Sequence, residues 1–124
     1  MKRFSCLGVF LLMCAPATVA WAQDPVEVDP AHYSVEFEND HVRVLRISYG
    51  PGEKSVMHYH PAAVAVFLVD QDVRFTFPDG TSEQAPPAGA GEAVWTPAGK
   101  HLPENVGDEP LELILVEVKA ATED

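Results

Sequence analysis

His58 and His60 stand one residue apart in the stretch SVMHYHPAAVAVFLVDQ, Ser55 to Gln71, and no acidic residue follows them until Asp70. On an extended strand, residues two apart point to the same face, so both imidazoles project together while Tyr59 goes to the other side. Two imidazoles that close can share one divalent ion, and imidazole suits Zn, Cu, Fe and Ni alike. A pair of surface histidines would have the same spacing, so the pair alone leaves both readings open. His101 lies in a second polar stretch, PAGKHLPEN, Pro97 to Asn105, and that stretch changes what the pair can mean.

The elements that must position these residues read as strands. HVRVLRISY, His41 to Tyr49, alternates and is rich in β-branched residues; it stops at Gly50-Pro51-Gly52. VMHYH follows, then AAVAVFLV, a continuous apolar run whose composition predicts burial on both faces. VRFTF, Val73 to Phe77, turns through Pro78, Asp79 and Gly80, and Asp-Gly between such runs is a hairpin signal. Beyond a Pro/Gly/Ala-rich stretch, Ala85 to Glu92, come EAVWT, HLPENV and LELILVEVK, the last two joined by a turn at GDEP. No segment carries helical periodicity over three turns, and no repeat points to a solenoid. Many short strands with close turns argue for an antiparallel sandwich or barrel, in which function sits on inward-pointing polar residues. Trp95, Phe75 and Phe77 are expected in the core.

The first 22 residues have a different character. Lys2 and Arg3 precede an apolar run, and small residues lead to Ala20-Trp21-Ala22, the order of a secretory signal peptide. A cleaved signal over 1–22 implies a periplasmic or secreted protein with no stable membrane insertion after its removal. It leaves 102 residues, enough for one domain. Residues 23–32, with Pro25 and Pro30 each after an aspartate, suit an extended arm; 33–120 form the domain and 121–124 a tail. Both cysteines, Cys6 and Cys14, fall in the signal, so neither a disulfide nor a thiolate ligand is expected. From Gln23 onward six basic residues face nineteen acidic ones, a net charge of −13, which disfavours nucleic acid and anionic membranes as partners.

The spacing of both histidine stretches resembles the cupin family. Its first motif is a glycine, five residues, His-x-His, a glutamate after three or four residues, and a glycine six beyond that. Gly52, His58 and His60 fit the first half, whereas Val64 or Ala65 stands in the glutamate position and Gln71 in that of the late glycine. The second motif is matched by Gly91, Pro97, Gly99, His101 and Asn105, with one residue instead of the usual two between Gly99 and His101. The resemblance covers His41 to Lys119 and implies an all-β, antiparallel jelly-roll β-barrel and a homodimer. It points to His58, His60 and His101 as a three-histidine metal set without the carboxylate. Asn105 is then a candidate to orient a ligand or a bound water. Strand alternation sends Glu104 to the opposite face from His101, and His32 and His41 lie outside both motifs.

Three neutral ligands would leave a divalent Zn, Fe, Mn, Ni or Cu ion with its full charge, attractive to a small chelating anion. No general base is evident near the histidines, which weakens hydrolysis or isomerisation relative to chemistry run by the metal itself. The expectation is therefore a metal-dependent, dioxygenase-like oxidoreductase acting on a small chelating substrate, or a non-catalytic module that binds a metal or small ligand.

Overall fold

The computed structural model describes residues 23–120; the expected signal segment, 1–22, and the tail, 121–124, lie outside the described residues. Near the start of the described residues lies one helical turn, α1 (Pro25–Val28), where an extended arm is expected. Asp24 caps it by accepting the Val26 N–H at 2.9 Å, and Pro25 supplies a backbone angle already suited to the first turn. Asp29 precedes Pro30 and leaves the helical region, with φ −144° and ψ 61°, which ends the turn.

Among the described residues nine strands follow: β1 (Tyr33–Glu38), β2 (Val42–Tyr49), β3 (His58–His60), β4 (Ala63–Phe67), β5 (Val73–Thr76), β6 (Ser82–Gln84), β7 (Ala93–Thr96), β8 (Gly99–Asn105) and β9 (Leu111–Val118). Asn39 turns β1 into β2 by accepting the backbone N–H groups of His41 and Val42. Gly80, at φ 84°, makes the β5–β6 turn that Asp79-Gly80 predicts. All strand pairs are antiparallel, in a five-stranded sheet ordered β1-β2-β9-β4-β7 and a four-stranded sheet ordered β3-β8-β5-β6.

Neither sheet closes, so the jelly-roll barrel expected from the sequence is corrected to two open sheets. Closure needs the outer strands to pair with one another, but the large sheet ends at β1 and β7 and the small one at β3 and β6. Three of these edges, β3, β6 and β7, are only three or four residues long, which limits the backbone left unpaired at the edges.

The core lies against the inner face of the large sheet. Alternation puts Leu111, Leu113 and Leu115 of β9 inward, beside Leu45, Ile47 and Tyr49 of β2 and Ala63 and Ala65 of β4. Val73 of β5 joins this cluster from the opposite sheet, and Phe75 packs on it. Burying such side chains contributes about 1.5–3 kcal/mol each. The apolar run at β4 is buried along one face only, since Val64 and Val66 remain partly exposed. No helix among the described residues is long and apolar enough to cross a membrane.

Candidate metal centre

The antiparallel register of β3 and β8 brings the two histidine stretches together. His58 lies directly opposite His101, and His60 lies opposite Gly99, which has no side chain to crowd the space between the rings. Potential ligand atoms of His58, His60 and His101 all lie within 4.8 Å of one another. His58 and His60 are almost fully buried, and His101 is half-buried. The ring of His101 stacks on Phe75, with centroids 4.8 Å apart.

Hydrogen bonds on the far side of two rings fix what their inner nitrogens can do. Nδ1 of His58 donates to the Val56 carbonyl at 2.8 Å, and Nδ1 of His60 donates to Oε1 of Glu117 at 2.7 Å. A neutral imidazole with its proton on Nδ1 carries a lone pair on Nε2. The two Nε2 atoms face each other at 3.0 Å. Two lone pairs at that distance repel unless a proton or a metal ion is shared between them. With metal–nitrogen bonds of 2.0–2.1 Å, that separation subtends roughly 90–100° at a shared ion, so the residues present fit a divalent metal.

Burial keeps two of the rings neutral. It pushes His58 down to about 4 and His101 down to about 3, and the neighbouring His60 lowers both further. Their lone pairs thus remain free through the neutral range.

Glu117 is the buried carboxylate that motif reading missed. It stands 2% exposed on β9, on the same face as Leu111, Leu113 and Leu115. Its strand neighbours in register are Arg43 on one side and Ala63 on the other, and the small alanine leaves room for the carboxylate. Nε of Arg43 donates to Oε2 of Glu117 at 2.6 Å, while the Arg43 guanidinium also meets Asp24 at 2.6 Å. A line of alternating groups, Asp24, Arg43, Glu117 and His60, therefore runs from the N-cap of α1 to the triad. Burial raises the Glu117 pKa, but the hydrogen bonds from His60 and Arg43 outweigh it and hold the carboxyl below its ordinary range. Glu117 thus remains an anion that aims and polarises His60.

A second polar group supports His58. The Tyr33 hydroxyl lies 3.2 Å from its Nε2 and 2.5 Å from the Tyr49 hydroxyl. Burial, reinforced by Tyr49, raises the Tyr33 pKa well above its usual value, so it acts as a neutral phenol. Ser55 donates to Asp29 at 2.5 Å and approaches Nδ1 of His58 at 3.3 Å.

Asn105, expected to orient a ligand or a water, is 2% exposed at the end of β8. Its amide donates to the carbonyls of Gly50 and Glu109 and accepts the Gly107 N–H, so it ties loops together. Glu104 faces away from the triad, as alternation predicts, and pairs with Arg74. His32 stacks on Tyr49 and meets Asp29 and Glu53, and His41 is exposed.

Above the triad opens a chamber of about 550 Å³ between the sheets, lined by His60 and His101 and by apolar side chains including Ile47, Ala65, Leu113 and Phe75. Trp95, expected in the core, is 60% exposed on edge strand β7 and lines the rim of the chamber. A separate open cleft of about 370 Å³ beside His32 and Glu53 contains none of the triad.

No protein-family model matches the chain, and no curated protein does. Solved structures do. A cupin domain from Bordetella pertussis superposes with a TM-score of 0.65 at 24% identity, covering 71% of this chain and 92% of its own. The fold is that of the cupins. A conserved Klebsiella pneumoniae protein with a double-stranded β-helix domain gives a TM-score of 0.55 at 21% identity, over 69% of this chain and 74% of its own. A cupin superfamily protein from Desulfitobacterium hafniense gives 0.53 at 13% identity, over 71% and 76%. At these identities the likeness is one of fold, and the cupin fold alone does not set an activity. Chemistry must be argued from the triad, Glu117 and the chamber.

Proposed function

We propose that this protein holds one divalent transition metal through His58, His60 and His101 and presents it to a small chelating ligand in the chamber. The observation that carries this reading is the pair of Nε2 lone pairs facing each other at 3.0 Å, each fixed by the bond its Nδ1 makes. When bound, the metal would supply Lewis acidity and, if it is redox-active, electron transfer with dioxygen. Glu117 holds His60 in the required tautomer, Val56 does the same for His58, and Tyr33 offers a hydroxyl beside the ligand position. The apolar walls offer water few polar partners beside the site.

Oxidoreduction run by the metal, of the dioxygenase kind, is the reaction class this arrangement favours. Glu117 is engaged by both Arg43 and His60 and is not free to act as a general base. The same observation supports a second reading, in which the centre binds its ligand without turnover. Metal analysis of the purified protein beside a His58→Ala, His101→Ala double variant tests the common premise. Near-stoichiometric metal in the parent and little in the variant is expected; equal, near-zero metal in both would overturn it. Oxygen uptake with chelating substrates then separates enzyme from binder.

The export of the chain to the periplasm or beyond belongs to this proposal, on the composition of residues 1–22, as does a homodimer, on the motif resemblance. Cell fractionation and light scattering of the purified protein test them.

A further inference from the structure

The walls of the chamber restrict what can approach the triad. At about 550 Å³ the space falls in the range that encloses a whole small organic ligand. It is many times what an ion and a few waters need, at about 30 Å³ per water. Ile47, Leu113 and Leu115 line it from the large sheet, and Val73, Phe75 and Ala85 from the opposite side. Hydroxyls of Tyr33 and Tyr49 join the histidines at the inner end.

Charge is scarce in this lining. Among the described residues, Glu83 and Lys100 are its only acid and its only basic side chain apart from the histidines, and both belong to exposed positions. The arginines among the described residues are engaged elsewhere: Arg43 with Glu117 and Asp24, Arg46 with Glu36 and Glu112, Arg74 with Glu104. None of them lines the chamber. Apart from the exposed Lys100, the lining offers an anionic head a cation only at the triad. A second anionic group held among Ile47, Leu113, Leu115 and Val73, away from Lys100, would lose its hydration against aliphatic walls, a costly arrangement.

We infer that the ligand is an amphiphile with one bidentate oxygen head, neutral or singly charged, on a compact apolar body such as an aromatic ring or a branched chain, and no second charged group. This deepens the metal-centre reading and rests on it. The head occupies the triad end and the body fills the space bounded by Ile47, Leu113, Leu115 and Val73.

The test uses the full chain loaded with Co(II), whose visible absorption responds to an entering oxygen donor, and three hydroxamates that share one chelating head. Benzohydroxamate is expected to bind about tenfold or more tightly than acetohydroxamate, because its ring leaves water for the apolar walls. 4-Carboxybenzohydroxamate is expected to lose that gain. Equal affinities for all three overturn the inference, as does tighter binding of the carboxylated probe.

Two substitutions narrow the chamber at different places, Ala65→Leu on β4 and Ala85→Phe beyond β6. Each is expected to weaken benzohydroxamate about tenfold while leaving acetohydroxamate within about twofold. A folded variant with undiminished benzohydroxamate affinity counts against the assignment. Failure of the parent to take up Co(II) sinks the metal reading and the head group with it; uptake followed by indifference to the body sinks the chamber inference alone.

Discussion

Glu117 accepts the Nδ1 proton of His60 at 2.7 Å across the interior, from β9 of one sheet to β3 of the other. The first histidine stretch lacks a carboxylate after its histidines, and this acid comes from β9 to orient His60, which would be a ligand in the proposed centre. Glu117→Gln retains an acceptor but not the charge, and metal affinity is expected to fall about tenfold, within the 10–100-fold range for such supporting groups. Glu117→Ala also removes one of the two carboxylates on Arg43, leaving Asp24, and is expected to cost about 3 kcal/mol of stability. Chelator competition and urea denaturation measure the two effects; an alanine variant with parental metal affinity would show that the carboxylate does not orient His60.

Much of this centre was legible in sequence because strand periodicity is local. His58 and His60 share a face through the period of two, and the register of β3 on β8 then sets His101 opposite. Glu117 was legible in principle. LELILVEVK carries Glu112 and Glu117 at opposite parity, so one of them must point inward, and the parity of Leu111, Leu113 and Leu115 selects Glu117. Its partners could not be read, since Arg43 lies 74 residues away and only strand order makes it a neighbour. Barrel closure was misjudged for the same reason: short edges are visible in sequence, but whether they pair depends on the position of the other sheet. Asn105 shares the parity of His101, yet it ends its strand, where the loop carbonyls of Gly50 and Glu109 are its acceptors.

The metal-free protein should lose stability on mild acidification. His58 titrates near 4 in the fold and near 6.5 when unfolded, because burial disfavours its charged form. Between those values the unfolded chain binds more protons than the folded one, so stability falls as pH drops from about 6.5 toward 4. His58 alone accounts for about 3 kcal/mol, and His101, lowered to about 3, adds in the same direction. Denaturation midpoints of chelator-treated protein at pH 7.5, 6 and 5 check this; a flat profile would mean that the rings are not buried as neutral groups.

Tyr33 and Tyr49 share a hydroxyl–hydroxyl bond in a closed space, 2% and 3% exposed. Tyr33→Phe leaves the Tyr49 hydroxyl without that partner and is expected to cost about 1–3 kcal/mol. Metal content should stay at the parental level, since three imidazoles remain. Loss of metal in a folded Tyr33→Phe variant would promote Tyr33 from neighbour to ligand.

The motif glycines should differ in tolerance. Gly52 sits at φ 74°, a conformation that penalises any side chain, whereas Gly99 has an ordinary backbone and open space where a Cβ would stand. Gly52→Ala is expected to lose about 1–2 kcal/mol. Gly99→Ala should be nearly neutral for stability, and thermal melts of the two variants make the comparison. A larger loss at Gly99 would show that the space opposite His60 must stay empty for the fold itself.

Asn105 separates a loop clamp from a metal-site residue. Its side chain is 2% exposed and holds the Gly50, Gly107 and Glu109 backbones, while its own N–H and C=O pair with Glu53 and Gly52. Asn105→Ala removes the three part-buried side-chain bonds and leaves the Gly50, Gly107 and Glu109 backbone groups without them, so a loss of about 1–3 kcal/mol is expected. Because none of these partners is a triad histidine, metal affinity of the folded fraction should remain within about twofold of the parent, well short of the change expected from a group that orients a ligand. Titration at a temperature where the variant is fully folded separates the two effects. A tenfold weaker metal affinity under that condition would mean that the loops held by Asn105 reach the triad through Glu53 and Ser55, whose backbones pair with β8 at Asn105 and Pro103.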